Sequence, residues 1–210
     1  NHTNTGVIRN NLTINTSGTL TLGSSVRFDT GALTYTAGTV ITTGSTLTIA
    51  TSTTLNTAGI NWNNVTISTV NTITNNSLLT IGGTLTYASG SVVTFAGTHG
   101  WTVGHFVIAT SGSISHILKD SLTYTVTDSF TSISTTNAAK DTLASSSGTV
   151  KAILTLNFGA TQNVAYTNAT RIDSSGGQTI YSFNGTLTDS INWQVLNASL
   201  IGSGVSTFVN

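Results

Sequence analysis

The stretches GSSVRF (23–28), GSTLTI (44–49), NNVTI (63–67) and GTLTY (83–87) share one pattern, a turn signal followed by two apolar residues with one residue between them. The first apolar residues are Val26, Leu47, Val65 and Leu85, so the pattern recurs at steps of 21, 18 and 20 positions. Alternating apolar and polar positions are typical of short strands, and a fixed period of this length is typical of solenoids. We therefore predict that these four side chains stack on one inward column of a β-solenoid.

Two further apolar columns follow the same period, which indicates three short strands per coil. They consist of Leu20, Val40 and Ile60, and of Leu33, Leu55 and Leu78. An antiparallel sandwich also contains many short strands, but here the period relates triplets of strands, which favours a coil with three sides. All the members of these columns are expected to belong to the core.

The predicted fold is all-β, a right-handed parallel β-helix with a coil of about 20 positions, and with the handedness usual for parallel crossover connections. Residues 1–11 are expected to form a connector or cap, and residues 12–112 a regular solenoid. Residues 113–183 are expected to form less regular coils, and residues 184–210 the C-terminal strands or a cap.

The composition is unusually poor in charge. Charged residues make up 6% of the 210 residues, net charge is zero, and Glu, Cys, Met and Pro are absent. Without a Lys/Arg stripe the chain is not expected to bind nucleic acid, and no apolar stretch is long enough for a membrane helix. The absence of Cys excludes a disulfide framework. A surface of Ser, Thr, Asn and Gly suggests a virion surface or an extracellular location.

The second half contains a sequence echo. The tetrapeptide Lys119-Asp120-Ser121-Leu122 recurs 21 positions later as Lys140-Asp141-Thr142-Leu143. Equivalent positions on adjacent coils would lie about 4.8 Å apart, the spacing of neighbouring strands. The echo therefore predicts an exposed charge ladder formed by Lys119, Asp120, Lys140 and Asp141.

The chemistry-bearing residues do not predict an active site. The acidic residues are six Asp, and the two that the echo brings together each have an adjacent Lys, which favours the ionised form and is unsuitable for a general acid. His99 and His105 have neither a Cys nor an acid near them to complete a metal site. We expect no catalytic residue, no metal and no cofactor.

Aromatic and hydroxyl side chains leave two binding hypotheses open. Trp62 and Trp101 are possible platforms on which a glycan could stack, although core or inter-chain packing is favoured. Thr-x-Thr pairs such as Thr46/Thr48 and Thr84/Thr86 suggest an ice-binding ladder, which other residues in the same column interrupt.

The segment 152–177 contains the run Tyr166, Asn168, Asp173-Ser174 and Gly176-Gly177, and residues 97–103 read GTHGWTV. Over residues 95–195 the chain resembles the β-helical repeat proteins of tailed-phage particles and of bacterial surface adhesins. The resemblance implies a right-handed parallel β-helix in a virion or cell-surface fibre, and it assigns no catalytic residue.

The resulting functional hypothesis is a non-enzymatic structural and adhesive part of a phage particle, such as a tail fibre, spike or capsid appendage for host attachment. The alternative is a bacterial extracellular adhesin or surface filament subunit, and the lesser alternative is an ice-binding solenoid. The expected partners are further copies of the chain, a trimer being favoured, within a larger particle, and a host surface glycan. No nucleic acid and no membrane are expected as partners.

Overall fold

A computed structural model of the chain describes residues 6–68, 71–88, 90–109, 114–134 and 139–196. These residues form β-strands and no helix, and every pair of neighbouring strands among them is parallel. The structure is a parallel β-solenoid of about eight turns, as the period predicted. The handedness of the coil stays a prediction.

The strands are short and follow one another around the coil. Their bounds are β1 (Gly6–Ile8), β2 (Leu12–Thr21), β3 (Val26–Phe28), β4 (Ala32–Ile41), β5 (Thr46–Ile49), β6 (Thr53–Asn56), β7 (Asn61–Trp62), β8 (Asn64–Ile67), β9 (Asn71–Asn75), β10 (Leu79–Tyr87), β11 (Val93–Gly97), β12 (Trp101–Ile108), β13 (Ser115–Leu118), β14 (Thr123–Ile133), β15 (Asp141–Ser145), β16 (Ala152–Leu156), β17 (Thr161–Ala165), β18 (Thr167–Thr170), β19 (Ile172–Asp173), β20 (Ile180–Phe183), β21 (Leu187–Thr188) and β22 (Trp193–Leu196).

Two sheets run along the solenoid. The smaller has the order β2-β4-β6-β9-β11-β13-β15-β18-β21, and the larger has the order β1-β3-β5-β8-β10-β12-β14-β17-β20-β22 with β7, β16 and β19 beside it. The long strands of the larger sheet break register between Ile81 and Thr84 and between Val103 and His105. The larger sheet therefore consists of two strips, which we call strip 1 (before the break) and strip 2 (after it), and the coil has three sides.

The register stacks the column that the sequence predicted. Val26 pairs with Leu47, Leu47 with Val65, and Val65 with Leu85. The last three are buried, whereas Val26 is partly buried because it lies one coil from the end of the described sheet. The pairing continues through Phe106 and Phe130. This apolar column is stabilised mainly by contacts between adjacent coils.

The other two predicted columns are found in part. Leu20 pairs with Val40, both partly buried, and Ile60 is buried just before β7. Leu33 and Leu55 are buried and pair with each other. The prediction for Leu78 is wrong, because the partner of Leu55 in the next coil is Asn75, and Leu78 itself is 45% exposed.

The number of residues per coil increases along strip 2 towards the C-terminal half. Along strip 2 the register pairs Leu85 with Phe106, Phe106 with Phe130, and Phe130 with Gln162, so each step along the chain is longer than the one before. The bounds 113–183 of the less regular coils stay a prediction. At the start of the chain β1 already pairs with β3, so the sheet includes part of the predicted connector 1–11. Residues 197–210 lie outside the described residues.

Aromatic side chains fill the interior of these longer coils. Phe106 stacks on Phe130 with ring centroids 5.1 Å apart, and Trp101 meets Tyr124 at 5.2 Å. These large rings contribute to the packing density that a protein interior requires. Buried aromatic rings are thus concentrated in the middle of the solenoid, although Phe28 is buried in an early coil.

The last described coil is much shorter and covers the core at this end. Ile180 pairs directly with Trp193, so the chain completes this turn in far fewer positions than any earlier one on the same sheet. The Trp193 ring reaches Phe130 at a centroid distance of 6.3 Å, and its Nε1 donates a hydrogen bond to Ser174 Oγ at 2.8 Å. Trp193 thus covers the aromatic core near the C-terminal end of the described residues.

Candidate functional site

The two predicted glycan platforms lie in the core. Trp62 is 2% exposed and Trp101 is fully buried, so neither ring can receive a ligand from solvent. The hypothesis of glycan stacking on these residues is therefore wrong, and the core-packing interpretation holds. Trp62 alternates with exposed Asn61 in β7, which directs the larger apolar side chain inward.

The predicted charge ladder is also wrong. In the pairing of β13 with β15, His116 lies opposite Leu143 and Leu118 opposite Ser145, a longer offset than the echo assumes. Continued by one position, this register brings Lys119 to Ser146 and not to Lys140. Asp120 confirms this register, because its N–H donates to Ser146 Oγ at 3.0 Å.

The structure instead forms a charged corner, where successive coils pass from the smaller sheet to strip 1. Lys119 Nζ contacts Asp120 Oδ1 at 2.5 Å, and Lys151 Nζ contacts Asp189 Oδ1 at 2.7 Å. Arg171 Nε donates to the Ser147 carbonyl at 2.7 Å. The hydrogen bonds that Asp120 accepts from Lys119 and Ser146 lower the pKa of its carboxyl. These charges neutralise one another and stabilise the loops of the corner.

The remaining carboxylates mostly have structural partners. Asp29 pairs with Arg27 at 2.5 Å, and Asp173 Oδ1 accepts a hydrogen bond from the Ser175 N–H at 2.9 Å. Asp141 is fully buried and accepts from the Ile114 N–H at 3.2 Å. Asp128 is exposed at the border of the two strips. Within the described part of the chain, no three His, Asp, Glu or Cys side chains are grouped as metal ligands.

His116 is a titratable group in the hydrophobic core. It is fully buried, its ring lies 4.8 Å from the Tyr87 ring, and neither ring nitrogen has a hydrogen-bond partner. Burial lowers the pKa of His116 from 6.5 to about 4. Burial also raises the pKa of Tyr87 well above its usual value, with a further contribution from Tyr124. This environment keeps both groups neutral at physiological pH.

Threonine ladders cover the outer faces. On strip 2 the register aligns Thr48, Thr66 and Thr86, with Arg27 before them and Val107 after them. The sequence predicted this column and its interruption by Arg27. It did not predict the longer column on strip 1, which consists of Thr80, Thr102, Thr125 and Thr155.

A shallow groove of about 480 Å³ lies on the first coils of the smaller sheet. Some of its polar side chains bind the backbone of neighbouring coils. Asn11 Oδ1 accepts from the Ala32 N–H at 2.8 Å, and Thr53 Oγ1 donates to the Gly31 carbonyl at 2.5 Å. The groove therefore includes a corner in which side chains satisfy backbone groups of adjacent coils.

Sequence reasoning missed one exposed aromatic residue. Phe158 is 81% exposed, whereas the other exposed large apolar side chains of the described residues lie between 40% and 46%. It occupies a tight turn between β16 and β17, in which the Ala160 N–H donates to the Asn157 carbonyl at 3.1 Å. The sequence signal for this exposure was the short run Asn157-Phe158-Gly159 between two strand patterns. A bulky residue directly before a turn glycine lies in the turn and not on the inward face of a strand.

No protein-family model, curated protein or solved structure matches this chain. Among the described residues there is no helix of the length and apolar character needed to cross a membrane. The statement that the chain is a β-solenoid protein rests on the pairing of its own strands.

Proposed function

We propose that the chain is a non-enzymatic structural and adhesive solenoid of a phage particle, in a fibre, spike or capsid appendage at the virion surface. The observation that carries this proposal is the unbroken ladder of the larger sheet from β1 to β22. The strands of this ladder, at their usual spacing, form a rod roughly 40 Å long. Such a rod can hold a binding surface at a fixed distance from the body to which it is attached.

The outer surface supports an adhesive role. Hydroxyl and amide side chains dominate the outward positions, as in the threonine ladders, and charged residues are few. Such groups can exchange hydrogen bonds with the hydroxyls of a host glycan without the desolvation of many charges. Individual contacts would be weak, and binding by several copies, most simply a homotrimer, would supply avidity.

The placement of the carboxylates supports a non-enzymatic role. Asp29, Asp120 and Asp189 form ion pairs, and the buried Asp141 binds a backbone N–H. Glycoside hydrolysis requires two carboxyl groups on either side of the scissile bond, one of them with a raised pKa. The pKa of Asp120 is lowered instead, which is the wrong direction for a general acid.

A bacterial surface adhesin or filament subunit is the alternative that the same observations support. The two proposals differ in whether a virion or a bacterial cell carries the solenoid, and both assign the solenoid the same structural and adhesive role. Antibody labelling of intact virions and of host cells would distinguish them, because only one of the two should carry the epitope.

The adhesive proposal can be tested with beads that carry the chain at high or low density. Densely coated beads are expected to be retained on a glycan-coated surface, with retention falling steeply as the coating is diluted, and without release of reducing ends. Beads coated with an unrelated protein of the same size are the control. Failure of the dense beads to bind would contradict adhesion, and reducing ends that disappear with Asp120→Asn or Asp141→Asn would contradict the non-enzymatic assignment.

Ice binding is a second candidate, favoured by the strip 1 column. Thr80, Thr102, Thr125 and Thr155 are consecutive in the pairing, so their hydroxyls repeat at about 4.8 Å. If this column orders water, the chain should depress the freezing point below the melting point, and Thr102→Val together with Thr125→Val should reduce the effect. A chain without such an effect would eliminate this candidate.

A further inference from the structure

One corner of the solenoid combines an exposed aromatic ring with an exposed carboxylate. It is the border between strips 1 and 2, where the register breaks around Gly104 in β12. In the next coil this border carries Asp128, and in the coil after that it carries the turn with Phe158. The two side chains therefore belong to adjacent coils at the same corner.

Hydrogen bonds define how the turn lies beside Asp128. The Asn157 N–H donates to the Val126 carbonyl at 2.9 Å, and Ser129 pairs with Thr161. Asp128 thus lies within the segment that faces residues 157–161, about one strand spacing away. The 81% exposed ring of Phe158 belongs to this turn.

The turn that carries Phe158 is held on both sides. In addition to the bond to Val126, the Ala160 carbonyl accepts a hydrogen bond from Gln178 Nε2 of the following coil at 2.5 Å. Gly159 adopts the positive φ of 86° that this turn requires. Because the backbone of this turn is already held, binding at Phe158 does not have to order a loop.

A close approach likewise positions Asp128. A Cβ atom on Gly104 would lie 3.0 Å from Asp128 Oδ2 and 2.6 Å from the Gly82 carbonyl. The absence of a side chain at Gly104 therefore allows the carboxylate to rest against the backbone of the preceding coil. No described Lys or Arg forms an ion pair with Asp128, so its oxygens keep acceptor capacity.

The same border offers a further polar group. His105 is exposed, lies in the coil before Asp128, and its Nδ1 contacts Ser129 Oγ at 2.9 Å. That contact orients the imidazole and leaves the other ring nitrogen available for a ligand. The backbone positions of His105, Asp128 and Phe158 therefore lie on three successive coils of the same border, within about two strand spacings.

We infer that Phe158, Asp128 and His105 form a binding site for a neutral oligosaccharide, with Phe158 packing on the apolar face of a pyranose ring and Asp128 accepting hydrogen bonds from its hydroxyls. Aromatic packing combined with charge-assisted hydrogen bonds suits a ligand that has an apolar face and hydroxyl edges. The carboxylate of Asp128 would repel an acidic sugar, and this repulsion would make the site selective for neutral sugars. This inference rests on the adhesive function proposed above.

The test uses the full-length chain on a printed panel of neutral hexose and N-acetylhexosamine oligosaccharides, with sialylated counterparts. Phe158→Ser is expected to weaken binding to neutral glycans roughly tenfold or more, because the ring contact is lost, whereas Phe158→Tyr should preserve it. Asp128→Asn should weaken binding and reduce the discrimination against sialylated glycans. Val150→Ser, at a 43% exposed position in another loop, is the matched control.

The outcomes separate this site from the proposed function. A wild-type chain that binds no glycan of the panel would contradict both. Wild-type binding that Phe158→Ser leaves unchanged would overturn the site alone. Loss of self-association in Phe158→Ser, measured by sedimentation, with glycan binding intact would identify the ring as a contact between copies instead.

Discussion

The side chain of Gln162 bridges to the backbone of Tyr181 in the following coil, its Oε1 accepting a hydrogen bond from the Tyr181 N–H at 2.8 Å. Its Nε2 donates to the Thr179 carbonyl at 3.0 Å. In this region β17 and β20 pair only at Ala165 and Phe183. The amide of Gln162 therefore replaces backbone pairing where the coil contracts.

Gln162→Ala is expected to lower the free energy of unfolding by about 1–3 kcal/mol, because two backbone groups lose their partner. Urea denaturation followed by circular dichroism would measure the loss. Asn163→Ala, at an exposed neighbouring position, is the control and should have little effect. Equal stability of the two variants would show that the bridge is dispensable.

Leu85→Ala should destabilise the solenoid by about 2–5 kcal/mol, because it opens a cavity in the centre of the stacked column. Leu85 is fully buried and contacts the coils on both sides through its pairing with Val65 and Phe106. Val26→Ala, at the partly buried end of the column, should cost less. The order of the two denaturation midpoints is the check, and a reversed order would contradict the stacking argument.

His116 should make the stability depend on pH. Its pKa is about 4 in the folded chain and 6.5 for an unperturbed imidazole, so the unfolded state binds the proton first as the pH falls. The contribution of neutral His116 to the free energy of unfolding is therefore complete above pH 6.5. It is lost between about pH 6.5 and pH 4, which lowers the free energy of unfolding by about 3 kcal/mol. Thermal unfolding across this range should show the loss.

The variants for this test are His116→Phe and His99→Gln. His116→Phe should flatten the pH profile between 6.5 and 4, because it removes the buried imidazole. His99 is exposed, so His99→Gln should leave the profile as it is in the wild type. An identical profile in His116→Phe would assign the pH dependence to other groups.

Three glycine variants should form a graded series. A Cβ atom on Gly97 would collide with the Asn75 carbonyl, and Gly97 has a φ of 94°. Gly90 has a φ of 76° with open space around it, and Gly23 has neither constraint. Gly90→Ala should lower the free energy of unfolding by about 1 kcal/mol. Gly97→Ala should lower it more, and Gly23→Ala should have little effect. Any other order of the three variants in chemical denaturation would contradict this account.

The 210-residue chain is expected to sediment as an oligomer, most simply at three times its 21.6 kDa mass. Within the described residues β1 and β2 begin the two sheets, and no described strand pairs with their outer edges. An open edge of this kind is a template for further pairing unless another chain covers it. A stable monomer at micromolar concentration, with a protease-resistant N-terminal end, would contradict this expectation.

The sequence predicted the fold where its period equals the register. Between Val26 and Leu85 the spacing of the repeated pattern in the sequence equals the offset between paired residues of adjacent coils. Residues that align in the sequence therefore stack in the structure. The echo of Lys119 at Lys140 failed because a repeated tetrapeptide carries no information about the length of the loops between coils. There the coil is longer than the echo, and Leu118 pairs with Ser145.

Polar residues at core positions were a second source of error. Asn75, fully buried, occupies the place that an apolar period assigned to Leu78. Its Nδ2 donates to the Gly100 carbonyl at 3.3 Å, and its own carbonyl accepts from the Thr98 N–H at 2.8 Å. The position of such a residue depends on hydrogen bonds to backbone groups of other coils. A search for hydrophobic residues in the sequence does not detect these bonds.

The two ends of the described rod differ in the number of residues per coil, because Val26 pairs with Leu47 near one end and Ile180 pairs with Trp193 at the other. The outline of the first coils does not match the outline of the last. Copies stacked head to tail along these residues would therefore meet at a step, with few strands in position to pair across the joint. For the described residues we therefore expect a closed assembly, such as the trimer predicted above, in preference to an open-ended polymer.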